Sequence, residues 1–210
     1  MQSGTQAQKN RPVHLYYRGK LTRPPPCKRD QPMNRILASV TTLEQHLDAV
    51  ATNSEIYRPL RCPHCAVAGL WCHGCYFRKA DHSIPSAKSC NPVPILRYLC
   101  HACKHTCSRL PACIAPRRWF DWVMQQLVLL MLLAGHTVRQ CSHRSSRARS
   151  TVRRWRDWLG TRGDAFTFWL RSRFPELGRH PDQESLWQDV MQNMTLMQAM
   201  VCCDCHTDVP

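Results

Sequence analysis

Three Cys-x-x-Cys pairs stand in one stretch of the chain: Cys62/Cys65, Cys72/Cys75 and Cys100/Cys103. A thiolate pair at this spacing offers two sulfurs to one soft ion, and two such turns close a tetrahedral zinc site. Three pairs are one too many. Partner pairs typically stand about 15–20 residues apart. The first two pairs lie much closer than that, leaving little room for a hairpin that would turn them toward each other. The first and third lie farther apart, but "DHSIPSAKSCNPVP" (81–94) between them reads as a loop, and loops lengthen at small cost. Spacing therefore selects Cys62, Cys65, Cys100 and Cys103 as a four-thiolate site for Zn2+. Cys72 and Cys75 are left as small strand residues. A second site drawing on Cys72, Cys75, Cys107 and Cys113 is the alternative. His64, His73 and His101 are expected to face solvent or phosphate. Asp81 is the sole carboxylate of the segment, so a closed structural site is expected rather than a catalytic one with an open position.

A second kind of chemistry follows in sequence. Arginines crowd 139–173, and only Asp157 and Asp164 offset them. Arg suits phosphates and guanine edges. In "SRARSTVRRWRDWLG", Ser150 is a credible N-cap, Val152, Trp155, Trp158 and Leu159 make an apolar face, and Gly160 suits a stop. The candidate DNA contacts are Arg144, Arg147, Arg149, Ser150, Thr151, Arg153, Arg154 and Arg156. A capped basic helix after a shorter helix and a turn is the order of a helix-turn-helix.

These residues need a frame. Ile36, Leu37, Val40, Leu43, Leu47 and Val50 recur at helical steps, predicting a helix within 33–57. Residues 58–115, rich in Cys, His, Pro and Gly, are the expected zinc ribbon, with "ILRYL" (95–99) a strand leading into the second knuckle. Residues 116–160 are the expected helix-turn-helix region: Pro116 suits a helix start and Gly135 its stop. Residues 161–210 read as a weakly helical tail. Residues 1–32, rich in Pro, Lys and Arg, read as a disordered basic segment, with Met33 the expected natural start. The expected fold is a small α+β chain: N-terminal helix, four-cysteine ribbon, then a mainly α region, with flexible termini.

The chain has 210 residues, a net charge of +15 and 14 cysteines. Such a charge predicts a polyanion partner. The opening residues are polar and basic, without the apolar core of a secretory signal, so metal binding is favoured over disulfides. The most apolar run, "WVMQQLVLLMLLAG" (122–135), falls short of the roughly 20 apolar residues a bilayer needs. A cytoplasmic, nucleoid-associated protein is expected, with no membrane partner.

Together these motifs resemble the N-terminal part of bacterial insertion-sequence transposases and their short relatives, over roughly residues 58–160. The match is carried by Cys62-Pro63-His64-Cys65, His73-Gly74-Cys75-Tyr76-Phe77-Arg78, Cys100-His101-Ala102-Cys103 and Thr106-Cys107-Ser108-Arg109-Leu110-Pro111. An apolar helix and "STVRRWRDWL" follow. The resemblance implies a zinc ribbon and a helix-turn-helix that recognises double-stranded DNA at element ends. One departure is at Ser145, Ser146 and Arg147, where such turns carry Leu-Gly-Ile or similar. Transposases of that kind use three carboxylates on a further domain to hold two divalent ions. Here Asp164, Glu176, Asp182, Glu184, Asp189, Asp204 and Asp208 remain after residue 160, in too short a segment for a sheet-based nuclease. No enzymatic activity is expected. The partners expected besides DNA are a transposase supplied in trans or a second copy of the chain.

Two other functions fit the composition. A zinc-ribbon RNA-binding or ribosome-associated protein would stack bases on Trp119, Trp122 or Tyr98. A thiol redox or metal-handling protein would use "CCDCH" at 202–206.

Overall fold

The computed structural model describes residues 35–81, 89–116 and 120–204. The expectations for 1–32 and for the end of the "CCDCH" motif lie outside the described residues. The chain is mixed α and β, with small sheets in its first half and helices in its second.

Strand β1 (Ile36–Leu37) precedes helix α1 (Leu43–Thr52). The helical spacing that begins at Ile36 thus overstates this helix. Thr42 fixes its start: the Thr42 hydroxyl accepts from the Gln45 amide and the Gln45 side chain accepts from the Thr42 amide. This capping box satisfies donors that would otherwise be orphaned at the first turn. Ile36 and Leu37 are instead paired, in parallel, with strand β5 (Leu110–Pro111).

The ribbon sheet runs β2 (Leu70–Arg78), β3 (Val93–Cys100) and β4 (Thr106–Cys107), in the order β2-β3-β4, all antiparallel. "TCSRLP" does not form one strand: its first two residues pair with β3 and its last two with β1. Strand β2 bulges between Cys72 and Cys75, where Gly74 takes a φ of 73°. Alternation along β3 sends its side chains to two clusters: Tyr98 and Cys100 pack with Tyr57, Cys62 and Leu70 on one face, while Val93 and Ile95 pack with Leu110 and Ile114 on the other. Buried His46 links α1 to both sides, bonding the Tyr57 hydroxyl at 2.6 Å and the Pro94 carbonyl at 2.7 Å. A carbonyl only accepts, so His46 Nε2 carries the proton and Nδ1 accepts from Tyr57.

The second half is helical: α2 (Trp122–Leu133), α3 (Val138–Ser145), α4 (Arg149–Arg173), α5 (Gln183–Asn193) and α6 (Leu196–Asp204). Helix α2 starts at an Asp121 cap and ends before Gly135, at φ 80°. Helix α4 passes through Gly160 without stopping. Its later residues Phe166 and Leu170 enter one core with Trp155, Trp187, Val190, Leu196 and Met200. Residues 161–204 thus supply much of this core. Two glutamines, one inside the apolar run and one on α5, tie these helices together: Gln126 donates to the Met191 carbonyl and accepts from the Leu196 amide, and Gln188 donates to the Leu133 carbonyl. Among the described residues no helix is long and apolar enough to cross a membrane.

The two halves meet through Ile36, Ala112 and Ala115, which belong to the helical core. Trp122 donates its indole N–H to the Ala112 carbonyl. The buried Asp204 carboxylate, at the end of α6, accepts from the Ile36 amide at 2.8 Å. Burial pushes the Asp204 carboxyl up to about 6, against the opposing pull of the Ile36 and Arg35 amides and the charges of Arg35 and Arg109. In the unfolded chain Asp204 ionises near its ordinary value. Between those two values the folded state holds the extra proton, so stability from this group is full at low pH and lost as pH rises through about 6. The stability difference between wild type and Asp204→Asn should therefore shift against the wild type by about 2 kcal/mol from pH 4 to pH 7. Urea unfolding of both proteins across that range measures it.

Candidate metal centre

The two knuckles are built alike. In the first, the Ala66 amide donates to the Cys62 carbonyl and the Cys62 amide to the Val67 carbonyl, both at 2.8 Å. In the second, the Lys104 amide donates to the Cys100 carbonyl at 3.0 Å and the Cys100 amide to the His105 carbonyl at 2.9 Å. Ala66 and Lys104 take matching left-handed conformations, with φ of 58° and 60°. In both turns the backbone aims its amides at the leading sulfur: those of His64 and Cys65 at Cys62, those of Ala102 and Cys103 at Cys100. Amides directed at a sulfur favour its thiolate form.

The knuckles face each other at the end of the β2–β3 hairpin. The Sγ atoms of Cys62, Cys65, Cys100 and Cys103 all lie within 4.8 Å of one another. Cys62 and Cys103 approach to 3.6 Å, Cys65 and Cys100 to 3.5 Å. A tetrahedron with metal–sulfur bonds of about 2.3 Å has edges of about 3.8 Å. The cluster could therefore hold a metal ion with little rearrangement. Cys62 and Cys100 are buried, Cys65 and Cys103 half-buried. Burial pushes the Cys62 and Cys103 thiols up. At Cys100 burial also raises, but the Cys103 and Ala102 amides and the Cys65 and Cys62 thiols outweigh it, bringing this thiol down. Without a cation Cys62 and Cys103 thus resist ionising beside Cys100. A divalent ion removes that conflict.

The other candidates fall elsewhere. Cys72 and Cys75 are exposed on β2, and Cys107 and Cys113 are half-buried; none of them joins a metal-ligating group among the described residues. His73 is exposed on β2, and His101 bonds the Gly69 carbonyl at 3.0 Å. His64 is exposed, and its ring stacks on that of His105, with centroids 3.7 Å apart, both rings lying beside Cys103. The spacing Cys103-x-His105 was the available signal for His105. That the two rings meet depends on the knuckles closing.

The basic residues sit on α3, on α4 and in the turn between them. Arg144, Arg149, Ser150, Arg153, Arg154 and Arg156 are exposed, and Thr151 is half-buried. Arg156 pairs with Asp157 at 3.0 Å. Half-buried Arg147 lies over the Phe120 ring at 4.7 Å, so part of its surface is committed to packing. Ser150 is not the N-cap. The cap position is Ala148, with no side-chain hydrogen bond, and Ser150 lies inside the helix. The chain enters α4 two residues early because α3 closes tightly: the Ser146 amide donates to the His143 carbonyl and the Arg147 amide to the Ser142 carbonyl. This closure puts Ser146 in the left-handed region at φ 53°, where glycine is usual. Of the late carboxylates, Asp182 caps α5 and Asp189 pairs with His180.

Compared with protein-family models, curated proteins and solved structures, the chain matches none of them.

Two outcomes follow from this geometry. Cys62→Ser or Cys100→Ser should lower the metal content by one ion per chain and expose the β2–β3 amides to hydrogen exchange. Cys72→Ser or Cys75→Ser should leave the metal content unchanged; elemental analysis distinguishes the two sets. Ser146→Gly should stabilise the chain by about 1 kcal/mol, because glycine takes the left-handed conformation without steric cost; denaturant unfolding measures it.

Proposed function

We propose that the chain is a zinc-dependent DNA-binding protein linked to transposition, acting on element DNA without a catalytic domain of its own. Four sulfur donors in a closed set suit Zn2+, which here would be a staple and not a reactant. Cys62, Cys65, Cys100 and Cys103 would hold it. The helix pair α3 and α4 would serve as a helix-turn-helix, with the start of α4 entering the major groove.

The observation that carries this reading is the two-sided character of α4. Val152, Trp155 and Leu159 are buried in the helical core, while Arg149, Arg153 and Arg154 are exposed away from it and Arg156 is exposed on its flank. A helix anchored by one face and lined with arginine on the other offers rigid cations at the spacing of successive turns. The RNA reading loses two of its three stacking candidates: Tyr98 is 1% exposed and Trp122 4% exposed. The third, Trp119, lies outside the described residues.

Binding of the zinc-loaded chain to duplex DNA should weaken steeply with salt. The double variant Arg153→Ala/Arg154→Ala should flatten the log–log salt slope by about two, since each phosphate contact contributes roughly one. Selection from a random duplex pool should return a preferred sequence. Equal affinity for all duplexes, or co-purification with RNA instead of DNA, would overturn the proposal.

A further inference from the structure

His64 and His105 project from the two knuckles, one from each, and their rings stack face to face with an interplanar angle of 12°. Stacked rings hold their nitrogen lone pairs in near-parallel planes, so one of the two exposed rings must turn for both to reach a single ion. The His105 ring is oriented further. Its Nδ1 lies 3.0 Å from the Cys103 carbonyl, which can only accept, so Nδ1 carries the hydrogen and Nε2 presents its lone pair. A backbone carbonyl that fixes the tautomer in this way is the usual support of a metal-ligating histidine. Ligand atoms of His64, His105 and Cys103 lie within 4.8 Å of one another. Both histidines are exposed and Cys103 is half-buried, so the group opens to solvent, whereas the leading sulfurs Cys62 and Cys100 are buried.

We propose that His64, His105 and the Cys103 thiolate form a second metal site, at the solvent-facing tip of the ribbon, for a divalent cation that accepts mixed nitrogen and sulfur ligands, such as zinc or cobalt. Cys103 belongs to both groups and would bridge the two ions, a form that rests on the four-cysteine centre being filled. Charge favours the bridge. Four thiolates around one divalent ion leave a net charge of −2, so the Cys103 sulfur retains electron density for a second cation. Two neutral imidazoles add no charge. The set suits nitrogen- and sulfur-loving metals over magnesium or calcium, which require oxygen ligands. With three protein ligands the second ion keeps an open position, unlike the closed buried centre.

Cobalt(II) titrated into the metal-free full chain under reducing conditions tests this, with absorption spectra read at each equivalent. Because the chain carries other cysteines, the comparison is between the wild type and the double variant His64→Ala/His105→Ala. Both rings are exposed, so the variant should keep the wild-type circular dichroism. It should take up one equivalent fewer than the wild type, with the intense sulfur-to-cobalt band of the first equivalent unchanged. Equal uptake by the two proteins would overturn the proposal. A wild type without the four-sulfur band overturns the buried centre, and the histidine site is still decided by the difference of one equivalent.

Discussion

Four cysteine sulfurs held within 4.8 Å of one another set the terms for the first half of this protein. As thiols they are poor hydrogen-bond partners, and as thiolates they repel. A cation is the one species that lets all four sit together ionised. The surrounding sheet offers little to replace it. The apolar cluster at this end consists of Tyr57, Cys62, Leu70, Tyr98 and Cys100, so two of its five buried members are themselves candidate ligands. Core and site are the same residues. Metal binding here would be folding energy, and loss of an ion would remove packing as well as charge balance.

The helical half stands on different ground. Its core contains large apolar side chains from every helix, and its polar ties are satisfied amides such as Gln126 and Gln188. What makes one object of two halves is a small set of contacts of long sequence separation. The most economical is Asp204 to the Ile36 amide, which joins the last described helix to the first described strand. Through it the short parallel pair β1–β5 is held against the helices, and with it the strand that leads out of the ribbon.

The parts legible in the sequence were the local ones. A Cys-x-x-Cys turn carries its own backbone geometry, so pairs and their spacing could select Cys62, Cys65, Cys100 and Cys103 before any fold was known. Gly135 as the stop of α2 was legible for the same reason. The rest depended on partners far along the chain. Nothing near Ile36 announces a strand, because its pairing partner is Leu110 and its amide's acceptor is Asp204. Gly160 reads as a stop only if the helix is judged alone; the burial of Phe166 and Leu170 carries α4 past it. Residues 161–204 look weakly periodic because their apolar positions are shared among several helix faces. A short helix followed by a basic one was readable, yet Ser150 as the cap of the second was not, since the cap of α4 is Ala148.

The start of α4 is where the fold and the proposed function pull in opposite directions. A helix N-terminus carries the positive end of its dipole and favours acidic side chains, by roughly 0.3–1 kcal/mol each. Helix α4 has no acidic residue in its first turn and no side chain capping its free amides. Instead Arg149 opens the helix and Arg153 and Arg154 follow, all exposed. Every local preference is violated in the same direction, toward excess positive charge. The later turns repair the loss with buried Trp155, Phe166 and Leu170, which keep the helix in place without help from its own beginning. The stability forgone at this end amounts to uncompensated positive potential, aimed outward from a rigid base. An anionic backbone laid across it would supply at once the acceptors that the free amides lack and the counter-charge that the arginines lack.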